Sequence, residues 1–118
     1  MGLLIRGGEI VTAESRSRGD IFIEDETVSR IGLDLDVPAG TDVINATGKL
    51  IFPGFIDPHV HIHLPFMATF AKDTHATASK AGLIGGTTTF IEMVCPSRNE
   101  DALDGYKAWK QKAEGNSA

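Results

Sequence analysis

Pro53-Gly54-Phe55-Ile56-Asp57-Pro58-His59-Val60-His61 joins an apolar run to three chemistry-bearing side chains at alternate positions. Phe55-Ile56-Asp57 reads as a strand entering Pro58 and the two histidines. Side chains alternate between the faces of a strand, so Asp57, His59 and His61 are expected to project from one face. Two imidazoles two residues apart can reach one divalent ion, because neutral imidazole is a common ligand for zinc and similar metals. A carboxylate beside them, here Asp57, can orient a ligand without binding the metal. A bare His-x-His also occurs on solvated strand edges, so its setting has to carry the argument.

On the C-terminal side the pattern over Asp73 to Ile84 is helical, with Ala76, Leu83 and Ile84 able to share a face and Gly85-Gly86 as its stop. Thr87 to Val94 is β-branched and apolar, and is expected to be a buried strand. Ser97 with Glu100 has the form of a capping box. The helix predicted after it puts Leu103, Tyr106, Lys110 and Ala113 on one face, with Trp109 beside them, and ends near Gly115. Strand, helix, strand, helix is the order of an α/β fold, a parallel sheet with crossover helices. If that sheet is part of a parallel barrel, His59 and His61 lie at the C-terminal strand end, where barrel active sites sit.

On the N-terminal side, residues 1–53 read as short strands only. Leu3 to Ile5 and Ile10-Val11 flank Arg6-Gly7-Gly8-Glu9, where the glycine pair signals a turn. Ile21 to Ile23 and Val28 to Ile31 flank a polar turn and predict a hairpin. Asp42 to Asn45 and Lys49 to Phe52 add two strands around Ala46-Thr47-Gly48. The expected organisation is a small β-module over 1–53 and a strand-helix region over 54–118, without repeats or low-complexity linkers.

The remaining signals are weaker. The 118 residues carry a formal charge of -5, against the basic patch of a nucleic-acid binder. The single cysteine, Cys95, permits no internal disulfide and fits a reducing compartment. Neither a signal peptide nor a membrane-length apolar run is present, so a soluble cytoplasmic protein is expected. His63 continues the alternation and either faces the same cavity or sits in a solvated loop. His75 is read as a helix-surface or packing residue; Glu92, near the second strand's end and so at the active rim if the sheet is part of a barrel, either supports the site or, as the safer reading, makes a structural hydrogen bond. Cys95 is expected to be a packed or rim thiol, and Tyr106 and Trp109 to pack their helix.

The stretch from Pro53 to His61 resembles the amidohydrolase superfamily signature. Leu64-Pro65-Phe66-Met67, Gly85-Gly86-Thr87-Thr88-Thr89 and Phe90-Ile91-Glu92-Met93 are similar to the dihydropyrimidinase and hydantoinase group, as are Leu4 to Gly8 and Ile31-Gly32. The resemblance implies a TIM-type metal-dependent hydrolase barrel beside a β-sandwich. Residues 1–53 would supply sandwich strands, and 54–118 the first two strand-helix units of a truncated barrel. It implies two zinc ions, with His59 and His61 as ligands of the more buried one. A bridging carbamylated lysine, two further histidines and a proton-handling aspartate would come from later in the chain. Lys49, Lys72 and Lys80 do not match that lysine, and no catalytic residue is assigned within these residues. The implied reaction opens the ring amide of a cyclic ureide, a dihydropyrimidine or hydantoin, to an N-carbamoyl amino acid. His63, Phe66 and Met67 fall in the loop that covers substrate in this group, and the implied assembly is a homotetramer.

Departures from the pattern narrow the reading. Dihydroorotases usually carry an arginine at the position of His63, which argues against that reaction. Glu92 stands where an aspartate is expected. Scaffold relatives lack the metal-binding histidines, so the retained pair argues against them. A full barrel needs about 250 residues, and zinc usually takes three or four protein ligands, so these 118 residues alone are expected to be inactive. The alternatives are another superfamily amidase, such as an allantoinase-like enzyme, or a non-catalytic truncated relative acting as an interaction module.

Overall fold

The computed structural model describes residues 2–118. The chain divides into two compact units, one ending at Pro53 and the other beginning at Gly54.

In the first unit the strands are β1 (Gly2–Val11), β2 (Arg16–Glu24), β3 (Thr27–Gly32), β4 (Asp42–Asn45) and β5 (Leu50–Ile51). They form one mixed sheet in the order β3-β2-β1-β4, with β5 also on β1, and not two facing sheets. Leu4 and Phe22 are cross-strand partners and are buried with Ile10, Ile21 and Ala46. The glycine pair does not reverse the chain. The β1–β2 register slips between Ile5 and Gly8, and Gly7 adopts φ +71 there. This is a bulge: one extra residue enters β1, and glycine takes the left-handed conformation at no steric cost. The Gly7 N–H donates to Asp20 Oδ1 at 2.8 Å, and Leu35 N–H donates to Asp20 Oδ2 at 3.0 Å. Asp20 is 4% exposed, so its carboxylate is buried on main-chain donors.

The hairpin expected after Ile23 forms. Asp25 and Glu26 connect β2 to β3 with φ of 48° and 63°, the positive values that a two-residue hairpin twisting with its strands requires. The strands β4 and β5 both form, and each runs parallel to β1.

In the second unit the elements are β6 (Phe55–Val60), β7 (Pro65–Phe66), β8 (Thr69–Phe70), α1 (His75–Gly85), β9 (Thr87–Glu92) and α2 (Ala102–Ala113). The strands β6 and β9 pair in parallel, with α1 as the crossover between them, and β7 and β8 form a small antiparallel ladder. Helix α1 starts at a capping box in which Thr74 and Thr77 satisfy each other's backbone N–H, and ends at Gly86 with φ 88. It packs closely on β9: a Cβ on Gly82 would lie 2.3 Å from Phe90 Cζ.

Four expectations need correction here. The cap of α2 is Asp101, which accepts from the N–H groups of Leu103 and Asp104. Ser97 and Glu100 instead close a turn ahead of the helix, at 2.9 Å and 3.0 Å. The face of α2 that is buried carries Gly105 and Trp109, whereas Leu103 is 68% and Tyr106 53% exposed. Pro96 sits against Gly105 and selects that face, since a Cβ there would meet its ring at 2.9 Å. In α1 the buried residues are His75 and Ser79, while Ile84 is 90% exposed. Likewise β9 is only part-buried, because a single strand flanks it.

Candidate metal centre

The end of β6 is shaped by Pro58. Asp57 pairs with Phe90 and Val60 with Glu92, so β6 advances three residues while β9 advances two. Proline has no N–H to give the ladder, and the extra residue leaves it there. The next N–H, of His59, donates to Asp57 Oδ1 at 3.2 Å. Asp57 therefore holds the main chain that carries His59. The alternation that would align all three side chains is interrupted by this bulge.

The two imidazoles nevertheless converge. His59 Nε2 and His61 Nε2 are 3.2 Å apart, with ring centroids 5.1 Å apart and planes at 64°. Two nitrogens bound at about 2.0–2.1 Å to a tetrahedral zinc lie about 3.3 Å from each other. The pair thus fits two corners of such a centre, and both rings are exposed. No group of three or more His, Cys, Asp or Glu among the described residues is arranged to hold a metal ion. A complete shell would need ligands beyond His59 and His61.

Around the pair, Cys95 Sγ lies 3.7 Å from His61 Nδ1 and 3.6 Å from Met93 O, and the residue is exposed. His63 is not joined to the two rings by a hydrogen bond. It adopts φ 51, its N–H donates to Asp73 O, and its ring stacks on Phe70 at 5.2 Å. Phe66 and Met67 belong to the β7–β8 hairpin and are 60% and 84% exposed. Phe66 also lines a cleft of about 610 Å³ with Leu64, Cys95 and Trp109.

One contact has no local signal in the sequence. His75 is buried, and its Nε2 lies 2.7 Å from Glu92 Oε2. Glu92 Oε1 accepts the N–H of Ile62, the residue after His61, at 3.1 Å. The partners are 17 and 30 residues apart. Only the return of β9 beside β6 brings them together.

A solved D-hydantoinase (dihydropyrimidinase) from Thermus sp. superposes with a TM-score of 0.92 at 71% identity, covering 98% of this chain and 25% of that one. The D-hydantoinase of Geobacillus stearothermophilus is 40% identical over 115 residues, covering 98% of this chain and 24% of that protein. This chain belongs to the dihydropyrimidinase and D-hydantoinase family. Dihydropyrimidinase 2 of Caenorhabditis briggsae is 37% identical over 114 residues, covering 97% and 22%. The chain therefore spans about a quarter of the length of the relatives it matches. No family model matches it. These names do not favour the allantoinase-like alternative or the non-catalytic module. No helix among the described residues is long and apolar enough to cross a membrane.

Proposed function

We propose that this chain is the opening part of a metal-dependent cyclic amidohydrolase, which opens the ring amide of dihydropyrimidines or hydantoins to N-carbamoyl amino acids. The observation that carries the reading is the 3.2 Å convergence of His59 and His61 at the end of β6. In this proposal β6-α1-β9-α2 is the start of a TIM-type barrel and the first unit supplies strands of a sandwich. The apolar surface left open on the second unit supports it. Phe55, Ile56, Leu83, Ile84 and Ile91 are each about half exposed or more, on a sheet of two parallel strands. Parallel sheets are normally covered on both faces.

His59 and His61 would hold one zinc ion through Nε2, with the remaining ligands, a carbamylated lysine among them, coming from outside these residues. Bound there, zinc supplies a water of lowered pKa and a polarised carbonyl. The chain's own residues do the positioning. Asp57 holds the His59 main chain, and the hairpin with Phe66 and Met67 offers exposed apolar side chains to a ring substrate, with His63 at its base. A homotetramer in the cytoplasm fits the same reading.

The test is a substrate panel on the complete protein. Ring opening of dihydrouracil or hydantoin, lost on chelation and restored by zinc, is the expected result. Fast turnover of dihydroorotate with none of the ureides would overturn the proposal.

A further inference from the structure

Chain direction changes abruptly after His61. The strand ends at Val60, Ile62 is buried, and His63 takes a left-handed φ of 51°. The Ile62 N–H at this corner lies beyond the described β6–β9 ladder, and an unpaired buried N–H is costly. It is taken up by Glu92 Oε1 at 3.1 Å, from the last residue of β9. The other carboxylate oxygen is held at 2.7 Å by His75 Nε2, on the first residue of α1. Both side chains are mostly buried, at 6% and 17% exposure. The carboxylate thus ties three segments together: the end of β9, the corner after His61 and the start of α1. A buried carboxylate is held in place when its oxygens are paired, and His75 and Ile62 each take one.

We propose that Glu92 and His75 are positioning residues for the metal centre, setting the direction of His61 through the Ile62 main chain. This rests on the reading of His59 and His61 as metal ligands. Neither Glu92 nor His75 contacts the imidazole pair by a hydrogen bond, so their action is through backbone geometry. An outer residue that orients a ligand typically governs about 10- to 100-fold in metal affinity. A residue that only stabilises the fold would lower the unfolding midpoint and leave the affinity of the folded protein unchanged.

The experiment uses the complete protein, stripped of metal and titrated with zinc against a chelator, then loaded with cobalt to record the ligand-field spectrum. Glu92→Ala is expected to weaken zinc binding by about 10- to 100-fold and to change the cobalt spectrum. Glu92→Gln keeps an oxygen for the Ile62 N–H and is expected to stay within a few-fold of the parent. Ile10→Val, in the first unit, serves as a destabilised control and is expected to bind zinc as the parent does. Should Glu92→Ala fail to fold, His75→Ala, which leaves the carboxylate unanchored, is read by the same two measurements and the same thresholds. Parent-like affinity and spectrum in the alanine variant overturn the inference, as does an equal loss in Ile10→Val. A parent protein that binds no zinc overturns the metal reading itself, and with it this inference, and is distinguishable from the other outcomes.

Discussion

The two units of this chain spend their polar groups differently. In the first, the buried carboxylate of Asp20 accepts from two main-chain donors, Gly7 and Leu35, and holds a bulge and a loop. In the second, the mostly buried carboxylate of Glu92 faces one main-chain donor and one imidazole, close in sequence to a pair of exposed histidines. The apolar contrast runs the same way. Leu4, Ile10, Ile21, Phe22 and Ala46 are buried in the first unit, but only Ile62 and Trp109 reach that level in the second. One unit is built around its own core. The other holds the candidate imidazole pair, His59 and His61.

This contrast is broken or sharpened by graded substitutions. The largest effect is expected at the second unit's open histidines. His61→Ala in the complete protein should cost about a thousandfold or more in ureide hydrolysis, with lost zinc visible by metal analysis, and little change in the unfolding of the metal-free form. Near-parental turnover would remove the imidazole pair from the chemistry. Next, Phe22→Ala should destabilise the first unit by about 3–5 kcal/mol in urea unfolding, through lost burial and the cavity left behind. A cost below about 1 kcal/mol would show that the sheet does not depend on this core. A smaller effect, about 1 kcal/mol, is expected for Thr74→Ala, which removes the cap of α1, measured by the same unfolding curves.

The smallest effect concerns pH. On β1 and β2, the Arg16 guanidinium hydrogen-bonds to Glu9 and holds its carboxyl below the usual value. A carboxyl with a depressed folded value stabilises above its unfolded value, and this is lost as pH falls through the folded one. Glu9→Gln should therefore flatten the acid side of the stability profile slightly, and only at low salt, because both side chains are exposed. A change that persists in high salt would contradict a surface pair.

Much of this was legible in residue order. The strand-helix-strand-helix order after Pro53, the hairpin at Asp25-Glu26, the stop at Gly86 and the candidate His59-x-His61 pair all rest on signals spanning a few residues. The features that differ from these local signals depend on partners far away in sequence. Gly7-Gly8 carries the same turn signal whether the chain reverses or bulges, and the pairing of β1 with β2 decides for the bulge. Ser97-x-x-Glu100 has the form of a cap, but Asp101 takes the helix N-terminus and leaves them a turn. Leu103 and Tyr106 looked like a packing face by period alone, until Pro96 against Gly105 rotated the helix to bury Trp109.

Residue order alone places the chemistry-bearing residues along the chain and says which side chains are on offer, because the steric limits of each residue are local. The tertiary structure decided which of them meet. Pro58 forces the bulge that aims His59, and the parallel return of β9 carries Glu92 to Ile62 and His75. The Ile62 N–H, buried at the corner after His61, needs an acceptor, and Glu92 supplies one from 30 residues away.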